Sequence, residues 1–189
     1  MLAAFVALAA FGRPAAAQGA ISFAPSSKIV IQGTSNVHEW SCVTSTFDGA
    51  VTAPALPAAD AGKALTTLVF TIPVKLLDCG NGGMNGNLQK AMHADDHPTI
   101  RYRMTSFVAV PEEGAYKAVI HGVLTINGTD RPTDLHATIT PDGSGGATAV
   151  GSARVTTTDF GVPIVKLFLG TMRTGAKVTI TFRLTASRA

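Results

Sequence analysis

Along most of this chain apolar and polar residues alternate with a period of two, the pattern of strands that turn one face to a core. The longest run ends in a turn. Ala118, Ile120, Gly122, Leu124 and Ile126 share one parity, Lys117, His121 and Thr125 the other, and Asn127-Gly128 suits a type I′ hairpin. Ile29/Ile31, Leu68/Phe70/Ile72, Ile100/Tyr102/Met104 and Val178/Ile180/Phe182/Leu184 repeat the alternation, with Lys28, Arg101, Arg103 and Arg183 on the opposite parity. Extended segments are therefore expected near 21–23, over 28–33, in one stretch over 37–51, and over 65–73 after a loop around Pro54 and Pro57. Beyond Pro98 the alternation resumes, with breaks at 111–114, at Asn127-Gly128 and at 141–146.

The period changes once. After Gly80-Asn81-Gly82-Gly83, the residues Met84, Leu88, Ala91 and Met92 recur at intervals of three and four, which predicts a short amphipathic helix ended before His97-Pro98. Six to nine strands with a lone helix fit an all-β fold, an antiparallel barrel of about eight strands with the helix near one mouth. A sandwich gives that helix no obvious place. Parity alone leaves two interiors open, one filled by side chains and one hollow around a ligand.

With 189 residues, 46% hydrophobic and 14% charged, the chain has ample core for one domain and shows no linker. Leu2 to Phe11 is almost wholly apolar and Ala15-Ala16-Ala17 is a small-residue cleavage site, so residues 1–17 are expected to be a secretory signal peptide and 18–189 the domain. The apolar run is too short for a membrane-spanning helix. Of the basic residues only Arg13 precedes Ala17, and the others are scattered singly rather than clustered to track phosphates. Nucleic-acid binding has no support. Cys42 and Cys79 lack C-x-x-C spacing, and an even pair in an exported chain is expected to form a disulfide, the alternative being two buried thiols.

Thr34-Ser35-Asn36-Val37-His38-Glu39-Trp40, then Leu88 to Tyr102 with His97-Pro98-Thr99-Ile100-Arg101-Tyr102, then Gly122 to Gly128 and Asp159-Phe160-Gly161, occur in an order that resembles the YceI-like family of polyisoprenoid-binding proteins. The likeness spans about Ile21 to Leu184. It implies a lipocalin-like barrel in the periplasm of a Gram-negative bacterium, enclosing an isoprenoid lipid such as a quinone, or another long amphiphile, and no catalysis. Where many members carry an Arg-Asp pair and an aromatic, acidic helix, this chain has Asn85-Gly86-Asn87 and Gln89-Lys90-Ala91-Met92-His93, closer to a branch with His-x-Trp and a cysteine pair. A hollow barrel would be lined by Trp40, Leu68, Phe70 and Ile72, by Leu88 and Met92 of the helix, by Tyr102, Met104 and Leu124, and by Phe160, Ile180 and Phe182. Such a carrier needs no cofactor beyond its lipid. Transient contact with a membrane or a membrane protein is compatible with that role, as is a dimer. The alternative is a filled barrel that binds a partner protein through its loops.

Other motifs carry less. His93 and His97 have the spacing of two ligands on one helix face, but Pro98 pushes the second away from helical geometry and no carboxylate stands in an HExxH-like position, so no metal site is expected although Asp95 and Asp96 are near. His38 is expected to make a structural hydrogen bond near a barrel end, with contact to a ligand headgroup the alternative. His121 and His136 are expected on the outer surface. Asp159-Phe160-Gly161 lacks every other kinase element and is expected to turn Phe160 inward. Asn127-Gly128-Thr129 is accounted for by the hairpin rather than by glycosylation. No Gly-x-Ser-x-Gly elbow occurs, Gly143 to Gly146 is turn composition with no helix to follow, and no nucleophile, base and orienting partner form a recognisable set.

Overall fold

The structure, a computed structural model, describes residues 21–52 and 65–188; the expected signal peptide and the loop of Pro54 and Pro57 lie outside the described residues. The alternating segments form strands β1 (Ile21–Phe23), β2 (Lys28–Ser35), β3 (Glu39–Thr44), β4 (Asp48–Thr52), β5 (Thr67–Pro73), β6 (Thr99–Glu112), β7 (Ala115–Ile126), β8 (Thr129–Pro141), β9 (Ala147–Thr156), β10 (Lys166–Leu167) and β11 (Met172–Arg188), with one helix, α1 (Gly82–Ala91). The strand order is β3-β2-β11-β9-β8-β7-β6-β5-β4, and β1 and β10 each pair with β11. Every one of these pairings is antiparallel.

The connectivity forces the sheet to curl. Its two edge strands, β3 and β4, are consecutive in the chain and separated only by Ser45, Thr46 and Phe47. In a flat sheet nine strands would hold those edges about 38 Å apart at roughly 4.8 Å per step, whereas four peptide steps reach about 14 Å at most. The expected single stretch over 37–51 is thus two strands on either side of a seam, divided where the Thr44 hydroxyl accepts a hydrogen bond from Thr46 N at 3.0 Å.

Two devices close that seam. Toward the helix, Val43 exchanges backbone hydrogen bonds of 2.8 and 2.9 Å with Asp78, and the adjacent Cys42 and Cys79 are joined in a disulfide. That bridge closes a loop across 37 positions, which the chain-entropy model makes worth about 4 kcal/mol. Toward the other end, Phe23, Phe47 and Phe70 pack with ring centroids 5.4 to 5.7 Å apart and join β1, the seam loop and β5.

Register places α1, the β7–β8 turn, the segment between β9 and β11 and the β2–β3 turn at one end of the barrel. Asn127 and Gly128 have φ of 50° and 69°, the left-handed pair a type I′ turn requires. Asn81 caps α1 by accepting from Met84 N at 2.9 Å, and Asn85 accepts from Cys79 N at 2.7 Å, tying the helix to the disulfide. The helix stops at Ala91, earlier than the proline alone demands, because His93 adopts a left-handed φ of 49° just past its end.

Candidate functional site

The barrel interior holds a cavity of about 400 Å³. An engineered apolar cavity of about 150 Å³ takes up a benzene, so this one has room for about two such units. Among the described residues, side chains therefore do not fill the interior.

Glycines and alanines on the inner parity explain the space. Trp40 on β3 covers its register partner Gly33 on β2, Phe182 covers Gly151, and Phe70, with Phe23, covers Gly49. Tyr102 lies across Gly122, two residues from its partner Leu124. In each pair the ring occupies the place a neighbouring side chain would take, so aromatic bulk is absorbed into the wall. On β8 and β9 the inner residues Ala137, Ala147, Ala149 and Ala153 add little volume of their own.

The polar groups of the interior are spent on the wall. The Tyr102 hydroxyl donates to Ile120 O at 2.7 Å, with Thr133 O at 3.2 Å, and burial, aided by the Asp134 charge, pushes its pKa well above the usual phenol value. Trp40 Nε1 donates to Thr34 O at 3.0 Å. Polar lining is confined to the ends of the cavity, where Asn87 of α1, Thr157, Thr174 and His38 stand at the helix end. His38 is exposed, with Nδ1 2.7 Å from Glu39 O, so it makes the expected structural contact while bordering the mouth. A surface of this kind can hold a long apolar chain and can fix a polar headgroup only at an end.

Ten of the twelve predicted lining residues meet around the cavity: Trp40, Leu68, Phe70 and Ile72 from β3 and β5, Leu88 and Met92 from the helix end, Tyr102 and Leu124 from β6 and β7, and Ile180 and Phe182 from β11. Met104 and Phe160 do not line it. The β6–β7 register shifts between Met104 and Ser106, and past this bulge Phe107, opposite Ile120, takes the inner face. Met104, just before the bulge, packs on the core outside the cavity. Phe160 is turned inward as expected, by a 3-10 turn over Thr157–Phe160 that ends at Gly161 with φ of 70°, but its 2% exposed ring is structural and its carbonyl accepts from Asn127 Nδ2 at 3.3 Å. The sequence also concealed Val162, Val165, Leu167 and Met172, which enter from the segment between β9 and β11; their apolar spacing in a Gly- and Pro-containing stretch follows no period.

The remaining histidines stand outside the cavity lining. His93 and His97 both lie beyond α1, with the His97 ring against Gly128, and among the described residues no three His, Cys, Asp or Glu side chains group to hold a metal. His136 is exposed, and His121 pairs on the outer face with Asp134 at 2.8 Å. The glycine turn at 143–146 spends Ser144 N and Gly146 N on the Asp142 carboxylate at 2.8 and 2.9 Å, which holds that carboxyl below its usual pKa, the Ser144 amide first.

The solved structure of BcnA from Burkholderia cenocepacia is similar, with a TM-score of 0.71 at 20% identity over 88% of this chain and 99% of that one. So is a polyisoprenoid binding domain from Saccharophagus degradans implicated in plant cell wall breakdown, with a TM-score of 0.66 at 10% identity over 90% and 99%. The YceI protein of Campylobacter jejuni matches less of both chains, 62% and 68%, at a TM-score of 0.52 and 20% identity. No curated protein matches in sequence. These likenesses establish a shared lipocalin-like antiparallel barrel. The YceI-like domain matches residues 18–186, nearly the whole sequence, and the chain belongs to the YceI-like family.

Proposed function

We propose that this protein is a non-enzymatic, exported carrier that encloses the apolar chain of an isoprenoid lipid, quinone-like or otherwise, or of a comparable long amphiphile, in the periplasm. The observation that carries the proposal is an apolar-lined cavity of about 400 Å³ in which the Tyr102 hydroxyl and the Trp40 indole N–H both donate to backbone carbonyls of the wall. A ligand there gains by leaving water rather than by hydrogen bonding. About ten buried methylene equivalents would contribute on the order of 8 kcal/mol at roughly 0.8 kcal/mol each. Association costs of several kcal/mol offset part of that, leaving affinities in the micromolar range or tighter. Discrimination then rests on the length and girth of the chain. The family relationship supports the same ligand class, since a structural relative is a polyisoprenoid binding domain.

The test is purification without detergent from the periplasm of a host that makes isoprenoid lipids, followed by native mass spectrometry and solvent extraction. An amphiphile bound one to one is expected. Recovery of the protein only from the cytoplasm would end the export claim. An empty protein that also fails to take up an added quinone or long-chain analogue would end the carrier claim.

A further inference from the structure

At the helix end of the barrel the chain makes an apolar tip that the fold does not use. Between the register partners Leu167 and Met172, Phe168 and Leu169 form the crest of a short loop, Phe168 75% exposed and Leu169 fully so. Both adopt left-handed backbone, with φ of 51° and 57°. Two bulky residues in succession in that region are strained, and residues so exposed return nothing to the fold in packing.

The loop is nonetheless held in place. Thr171 donates to Phe168 O through its hydroxyl at 2.8 Å. Asn36 clamps the base, donating from Nδ2 to Thr171 O at 2.8 Å and accepting from Arg173 N at 2.8 Å. That clamp sets Val37, 66% exposed, beside the loop. From Gly161 to Val178 there is no acidic residue, while Lys166, Arg173 and Lys177 are all exposed. Asp159 and Glu39 flank this patch in the chain.

The tip is continuous with the cavity. Leu167, Met172 and His38 each border both the exposed patch and the cavity lining. We propose that Phe168, Leu169 and Val37 form a membrane-seating tip that inserts at the surface of an anionic bilayer, with Lys166, Arg173 and Lys177 at headgroup level, and so sets the cavity mouth against the lipid phase. This deepens the carrier proposal and rests on it. An apolar wedge with basic flanks matches a bilayer interface, where apolar insertion and attraction to anionic lipid act together. A chain then passes from bilayer to cavity without crossing water.

The experiment is flotation with vesicles of equal parts phosphatidylglycerol and phosphatidylcholine, on the full mature protein. Phe168→Asn with Leu169→Asn is the chosen double variant, because asparagine tolerates left-handed backbone and the fold should survive. It should lower vesicle association by about tenfold or more while leaving uptake of a water-soluble short-chain prenyl probe unchanged. Val108→Ser with Val110→Ser removes comparable apolar exposure on β6, near the opposite end, and should change neither. Unaltered flotation of the tip variant, equal loss in the Val108 and Val110 control, or a wild type that does not float would overturn the tip. So would a wild-type dimer that the tip variant makes monomeric, which would assign the patch to a second copy. Failure of the soluble probe to bind wild type would instead strike the carrier proposal.

Discussion

Tyr102 and Gly122 occupy one place between them. A Cβ on Gly122 would stand 2.5 Å from the Tyr102 hydroxyl and 2.7 Å from Arg103 O. Gly122→Ala therefore displaces the ring or parts the β6–β7 ladder at its bulge. We expect a loss of about 1–3 kcal/mol, the usual range for overpacking, seen as a lower denaturant midpoint. An unchanged midpoint would mean that the two strands are looser than described.

Tyr102→Phe keeps the ring and removes the donor to Ile120 O. At neutral pH it should cost about 1 kcal/mol. Its signature lies in alkali. The folded phenol titrates above the unfolded one, so its contribution is complete below about pH 10 and is lost as pH rises toward the folded value. Stability measured from pH 9 upward should fall more steeply for wild type than for the variant, and parallel curves would contradict the assignment.

Ala149 faces the cavity from β9. Ala149→Phe should fill part of the lumen and reduce uptake of a long-chain probe severalfold or more while the melting temperature holds or rises, because an apolar void is being filled. Loss of fold rather than of uptake would show that this wall has no room to spare. Leu68→Trp, on the facing wall, should reduce uptake in the same way.

Reduction of Cys42–Cys79 frees β3 from the segment that leads into α1. Stability should drop by up to about 4 kcal/mol. Hydrogen exchange should quicken first in β3 and at the start of α1, and the oxidised protein should show no thiol labelling. Labelling of both cysteines without reductant, on unfolded protein, would remove the bridge.

The β7–β8 hairpin was legible because a long period-two run and an Asn-Gly turn are both local signals. The cavity wall was legible for the same reason wherever a strand keeps its parity. Met104 keeps the parity of Tyr102, opposite Gly122, so its face was legible although it does not line the cavity. Phe107 escaped because the bulge before Ser106 resets parity, and a bulge is defined by pairing with β7, which no local pattern contains. The split of 37–51 escaped because the break is a threonine side-chain turn with neither glycine nor proline. The residues entering from 161–172 escaped because a loop crossing a barrel mouth has no period at all. Phe160 was rightly turned inward, but inward of a 3-10 turn differs from inward of a barrel, and only the contact with Asn127 distinguishes them.

The seam between β3 and β4 leaves the girth of this barrel unfixed by a continuous ladder. Where strands are laddered all the way round, circumference is set by strand count and shear, and widening it breaks a row of backbone hydrogen bonds. Here the stretch facing Phe23, Phe47 and Phe70 is shut by aromatic edges, each pair worth about 0.5–1.5 kcal/mol beyond its burial, rather than by a row of backbone hydrogen bonds. The staple at Cys42–Cys79 joins the helix end covalently, so the two ends of the seam differ in kind. For the proposed carrier this means that a bulky ligand terminus would press on side-chain contacts at the phenylalanines and on covalent framework at the mouth.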